Sequence, residues 1–117
     1  MLEMHTTYRD DLIMEISYDN KRHIVLAIDQ GYEPFLDARD LIMDQFNCEL
    51  TNQYGLTDMY ASFEFKGKIL ELEYFSMDEM VTLITDATDD DLLQEFRKIA
   101  RAITLVLKKP KEEKKEQ

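Results

Sequence analysis

Leu12, Met14, Ile16 and Tyr18 occupy alternate positions, and this period of two predicts a strand over 12–18 with those four residues on one side. Asp19 and Asn20 form a turn signal. The run Arg-His-Ile-Val-Leu-Ala-Ile over 22–28 then reads as a second strand, apolar on both faces, and the two fit a hairpin. Beyond Gly31 the period changes. Phe35, Ala38, Leu41, Ile42 and Phe46 recur at helical spacing, Asp37, Arg39, Asp40 and Asp44 lie mostly opposite, and Pro34 suits a first turn. A helix is predicted over 34–46.

Alternation returns over 57–65, with Met59, Ala61, Phe63 and Phe65 on one face, and over 68–76, with Leu70, Leu72 and Tyr74 together. Lys66-Gly67 between them is a two-residue turn. Such a turn pairs Phe63 with Leu70, Ala61 with Leu72 and Met59 with Tyr74, and it pairs Ser62 with Glu71 and Tyr60 with Glu73. Apolar meets apolar and polar meets polar, as a half-buried hairpin requires. The stretch 80–85 is open to two readings. Val-Thr-Leu-Ile-Thr is rich in strand formers, whereas Ser76 and Glu79 stand at capping-box spacing for a short helix. Strand is preferred.

Thr85-Asp-Ala-Thr-Asp-Asp-Asp-Leu-Leu-Gln-Glu-Phe96 concentrates four aspartates and a glutamate. A calcium loop starting at Asp86 would need Gly at its sixth position and Glu at its twelfth, where Asp91 and Arg97 stand. Adjacent aspartates at a helix start are solvated and ionised, which argues against an acid/base pair. A helix start explains them. Thr88 is the expected N-cap, Asp91 its capping-box partner, and the aspartates face the positive end of the helix dipole. Leu92, Leu93, Phe96, Ile99, Ala100, Ile103, Val106 and Leu107 then form one apolar stripe. The helix is predicted over 89–107, roughly 28 Å long at 1.5 Å per residue.

These elements predict an α+β fold over residues 1–107, with a largely antiparallel sheet of four or five strands and two helices on one face. Residues 108–117, Lys-Lys-Pro-Lys-Glu-Glu-Lys-Lys-Glu-Gln, have nothing apolar to bury and are expected to form a disordered charged tail. At 117 residues the chain is one domain, large enough to build an apolar core without metals or disulfides. The single cysteine, Cys48, excludes an internal disulfide and fits a reducing compartment. There is no bilayer-length apolar run, and the first residues lack the charged and apolar regions of a secretory signal, so a cytoplasmic location is expected.

Charge alters the picture most. The chain carries a net −11; without the five Lys and three Glu of 108–117, the body holds 9 basic and 22 acidic residues, a net of −13. From Ile69 to Phe96 there are nine acids and no Lys or Arg. Such a body repels nucleic acid and anionic membranes and attracts cationic partners, although acidity by itself also serves plain solubility. Catalytic signatures are absent. His5 and His23 lie far apart without neighbours at ligand spacing, Cys48 has no second cysteine, Ser17, Ser62 and Ser76 lack a nucleophile elbow, and three scattered glycines build no phosphate loop. No catalytic residue, cofactor or metal is expected. Cys48 reads as a packed thiol and His23 as a rim residue.

In size, acidity, cysteine usage and lack of catalytic motifs, residues 1–107 resemble, as a type, the immunity proteins of bacterial toxin systems, including contact-dependent growth inhibition. That resemblance implies a small α/β protein whose partner is a cognate, basic toxin domain, often a nuclease, neutralised by covering its active site. Independently, an acidic surface would mimic the phosphate backbone in a cationic groove and associate under electrostatic steering. The candidate contacts are Tyr60, Glu64, Glu71 and Glu73 on the polar hairpin face, with Asp78, Glu79, Asp86, Asp89, Asp90, Asp91 and Glu95 around the last helix. Tyr60 would be an aromatic anchor. The protein is expected to act as a monomer or weak dimer. Type III secretion chaperones are similar in being small, acidic α/β proteins of the cytosol, but this chain opens with strands where they open with a long helix. A structural or small-ligand domain is the third class, to be recognised by a sizeable enclosed pocket.

Overall fold

The computed structural model describes residues 4–108. The tail expected to be disordered lies, but for Lys108, outside the described residues. The elements run β1 (His5–Arg9), β2 (Met14–Tyr18), β3 (Lys21–Ala27), α1 (Glu33–Gln45), β4 (Glu49–Tyr54), β5 (Met59–Phe65), β6 (Lys68–Phe75), β7 (Met80–Thr85) and α2 (Asp90–Leu107). The strands form one sheet in the order β1-β2-β3-β7-β6-β5-β4, with every neighbouring pair antiparallel. Two meanders, β1–β3 and β4–β7, therefore meet at the centre of the sheet, where β3 lies beside β7.

The sheet has seven strands rather than four or five. Both additional strands are edges. β1 and β4 read His-Thr-Thr-Tyr-Arg and Glu-Leu-Thr-Asn-Gln-Tyr and are mostly exposed, so they lack the apolar alternation that burial imposes. The region 80–85 is strand β7. The turns follow the local chemistry. Asp19 and Asn20 take φ of 58° and 61°, and Lys66 and Gly67 take 50° and 83°, the doubly left-handed turn that suits the twist of a hairpin. The β5–β6 register pairs Phe63 with Leu70, Ser62 with Glu71 and Tyr60 with Glu73, as the sequence predicted.

One face of the sheet carries the core. Phe63, Leu70, Leu72, Val81 and Leu83 from the strands are buried in one cluster with Phe35 and Ile42 of α1 and with Phe96, Ile99 and Ile103 of α2. The predicted cap of α2 shifts by one residue. Asp89, not Thr88, is the N-cap, and its Oδ1 accepts the N–H groups of Asp91 and Leu92 at 2.8 and 3.2 Å. A carboxylate accepts both orphan donors with a full charge at the positive end of the helix, which a threonine hydroxyl cannot match.

The alternation in β2 is present, but its apolar side faces away from the helices. Met14 and Tyr18 are exposed and Ile16 is half-buried, while Glu15 on the opposite side is wholly buried. Glu15 Oε1 accepts from Arg97 Nε at 2.7 Å, and Oε2 accepts from Arg22 Nη1 at 3.2 Å and from the Thr7 hydroxyl at 3.2 Å. The Arg97 guanidinium also stands 4.3 Å from the centre of the Tyr8 ring. One turn further along α2, Arg101 pairs with Asp10 and donates to the Tyr8 hydroxyl. These contacts tie the last helix to the first hairpin.

Candidate functional site

The helices cover one face of the sheet and leave the other open. In antiparallel pairs, directly opposed residues share a face, so the register maps the open one. One row reads Tyr54, Tyr60, Glu73, Thr82 and Val25 across β4, β5, β6, β7 and β3. The next reads Asn52, Ser62, Glu71, Ile84, His23 and Ile16, ending on β2. The open face is thus polar and aromatic over β4–β6 and mainly apolar over β7, β3 and β2, where Thr82 and His23 are the polar members of these rows.

Between these halves runs a groove of about 500 Å³. Glu71, Glu73 and Phe75 form its β6 side, Val25, Thr82 and Ile84 its floor, and Ile16 and Tyr18 its far side. Lys21 is the one lysine or arginine among the described residues that lines it. Burial, and secondarily the charge of Glu71, push the Glu73 carboxyl above its ordinary value, while Lys21 pulls it the other way. Beside Glu73, Tyr60 stacks on Tyr54 with centroids 5.0 Å apart and meets Phe75 edge-on at 6.4 Å. Burial also raises the Tyr60 hydroxyl, helped by the charges of Asp58 and Glu73. Thr82, on the floor, is 5% exposed, and its hydroxyl is the one buried side-chain polar atom without a hydrogen-bond partner among the described residues.

The structure distributes the candidate acids over three places. Tyr60, Glu64, Glu71 and Glu73 share the open face, the last two lining the groove. Asp86 joins Glu71 in a shallow depression with Lys21 and Ile84, and Asp89, Asp90 and Asp91 follow directly at the start of α2. At that same end Glu64 and Glu95 line a small cleft with Lys66. Asp78 and Glu79 stand apart, in the turn at the other end of β7, roughly 20 Å away for six residues at 3.3 Å each. Glu79 serves that turn: its φ is 48°, its N–H donates to the Ser76 carbonyl and its own carbonyl accepts from Asp29 N–H.

Four of the five arginines are engaged elsewhere. Arg22 and Arg97 bind Glu15, Arg101 binds Asp10 and Arg39 binds Asp40. Within the candidate set, Glu95 forms an ion pair, a long one of 3.9 Å to Lys98, and no other member has one among the described residues. Sequence reasoning missed Asp58, whose Oδ1 accepts the Ser76 N–H and hydroxyl at 2.8 and 2.9 Å and ties the 55–58 loop to the β6–β7 turn. It also missed Thr82. Thr82 is assigned to the open face through its pairing with Glu73, so it could have been found by carrying the hairpin register one strand further.

His23 is half-buried in the groove, where burial lowers its pKa against the opposing hydrogen bond to the Tyr18 carbonyl. Cys48 is buried, its thiol pushed up by desolvation and directed at the Phe46 carbonyl at 3.8 Å. No group of three or more His, Cys, Asp or Glu among the described residues is arranged to hold a metal, and no helix among them is long and apolar enough to cross a membrane. Comparison of the chain with protein-family models, curated proteins and solved structures finds no match.

Proposed function

We propose that this chain is a binding protein that neutralises a cationic toxin domain, a nuclease foremost, by laying its open sheet face over the toxin's active site. The carrying observation is the segregation of charge. Arg22, Arg97, Arg101 and Arg39 are held in ion pairs with Glu15, Asp10 and Asp40, while the carboxylates of Glu71, Glu73 and Asp86, on and beside the open face, form no ion pair among the described residues and have Lys21 as the nearby base. Unpaired carboxylates attract a basic groove, and the adjoining apolar strip supplies the water-excluding part of an interface. Inhibition by occupancy asks for no catalytic group on this side.

The exposed Met14, Tyr18 and Ile69 on the same face favour a second reading, a chaperone holding an extended apolar segment. Salt separates the two, because electrostatic capture weakens as ionic strength rises and apolar capture tolerates it. The direct test is protection. Co-expression with the product of the gene that precedes this one is expected to rescue growth, and Glu71→Lys with Glu73→Lys is expected to abolish the rescue. Rescue that survives both reversals would overturn the assignment.

A further inference from the structure

The groove has an unusual combination of walls. Two neighbouring carboxylates, Glu71 and Glu73, project on one side of an apolar floor, and an aromatic ledge of Tyr54, Tyr60 and Phe75 stands beside them. At the centre, the Thr82 hydroxyl is buried without a partner, directly opposite Glu73 on one side and Val25 on the other. That oxygen has almost no exposed surface, so an occupant of the groove would pack over Thr82 and meet the carboxylates beside it.

The complement of such a surface is a cation at the end of an aliphatic stem. Carboxylates hold the cation by charge-assisted hydrogen bonds, aromatic faces add attraction to it, and the stem covers the apolar floor. An unbranched alcohol or fatty chain would leave the two carboxylates unpaired, and an inorganic cation would leave the floor uncovered. We propose that the groove is the anchor pocket of the open face and takes one lysine or arginine side chain from a protein partner, its stem on Val25 and Ile84 and its charge between Glu71 and Glu73. This rests on the toxin-binding reading and deepens it, since it names what the partner inserts.

Two short peptides separate the alternatives: acetyl-Val-Lys-Val-amide, and the same peptide with norleucine for lysine, which keeps the stem and removes the charge. Each is titrated into the isotopically labelled full chain and followed by amide chemical shifts. The lysine peptide is expected to move Val25, Glu73 and Thr82 and to bind about tenfold more tightly than the norleucine peptide. Glu73→Gln should reduce that affinity about tenfold. Equal binding of the two peptides would overturn the proposal, as would shifts centred on Asp78–Glu79 or Asp89–Asp91, or no saturable shift at all. The failures are distinguishable. A toxin domain bound with no peptide in the groove leaves the neutralising function standing without this anchor. A peptide bound without any protection against the toxin does the reverse.

Discussion

Glu15 shows how a single residue decides the docking of an element. Its carboxylate is wholly buried and takes Arg97 and Arg22 at 2.7 and 3.2 Å, joining α2 to β2 and β3. Removing it leaves both guanidiniums without their acid, so Glu15→Ala is expected to cost about 3–5 kcal/mol in denaturant unfolding. A loss under about 1 kcal/mol would mean that the arginines find other partners. Asp10 sets a pH dependence. The hydrogen bond from Arg101, then the backbone bonds from Ile13 and Leu12, hold its carboxyl far below the ordinary 3.8. Because the folded value is depressed, its stabilisation is complete above 3.8 and is lost as pH falls toward the folded value. The unfolding free energy of the native chain should therefore drop across that acid window more steeply than that of Asp10→Asn. Neither residue was legible from the sequence. The period of two in β2 says that Glu15 opposes Ile16, but the side facing the helices is set by which partner arrives, and here two arginines outweigh three apolar residues.

At the scale of elements, legibility followed burial. The β5–β6 hairpin could be read to the residue, because its turn is doubly left-handed and each face alternates in hydrophobicity. α1 and α2 carry their stripes, with Phe35, Ala38 and Ile42 buried in one and Phe96, Ile99 and Ile103 in the other, but Val106, expected in the second stripe, is exposed near the helix end while Thr104 is buried. β1 and β4 were invisible because an edge strand buries little and needs no pattern. The start of α2 explains much of the acid cluster by itself. Asp89→Ala should remove the acceptor for Asp91 and Leu92 N–H and destabilise the fold by about 1 kcal/mol, measured by thermal or chemical unfolding. The same change at Asp90 should cost little, since its carboxylate makes no hydrogen bond among the described residues.

At the scale of the molecule, the sheet divides labour between its faces. The helix face holds the core and the arginine ion pairs; the open face holds unpaired acids, aromatics and an apolar strip. The clustering of acids along the chain pointed to part of this surface, and the hairpin register placed Tyr60, Glu64, Glu71 and Glu73 on one face. The apolar half came from β2 and β3, whose outward side no local pattern reveals. A face proposed to bind a partner need not be tuned for stability. Glu73 is raised by burial and by Glu71, so its ionised form costs stability at neutral pH, and Glu73→Gln is expected to stabilise the free chain by up to about 0.5 kcal/mol while weakening binding. On the proposed function, the open face, and not net acidity, would capture a basic partner. Titration calorimetry with the proposed cationic toxin partner, at low and high salt, tests this when two variants of equal charge change are compared. Glu71→Lys with Glu73→Lys lies on the open face, and Asp37→Lys with Asp44→Lys on the exposed side of α1. The account predicts that only the first pair abolishes the salt-sensitive binding; equal losses from both pairs, or undiminished binding by the first, would contradict it.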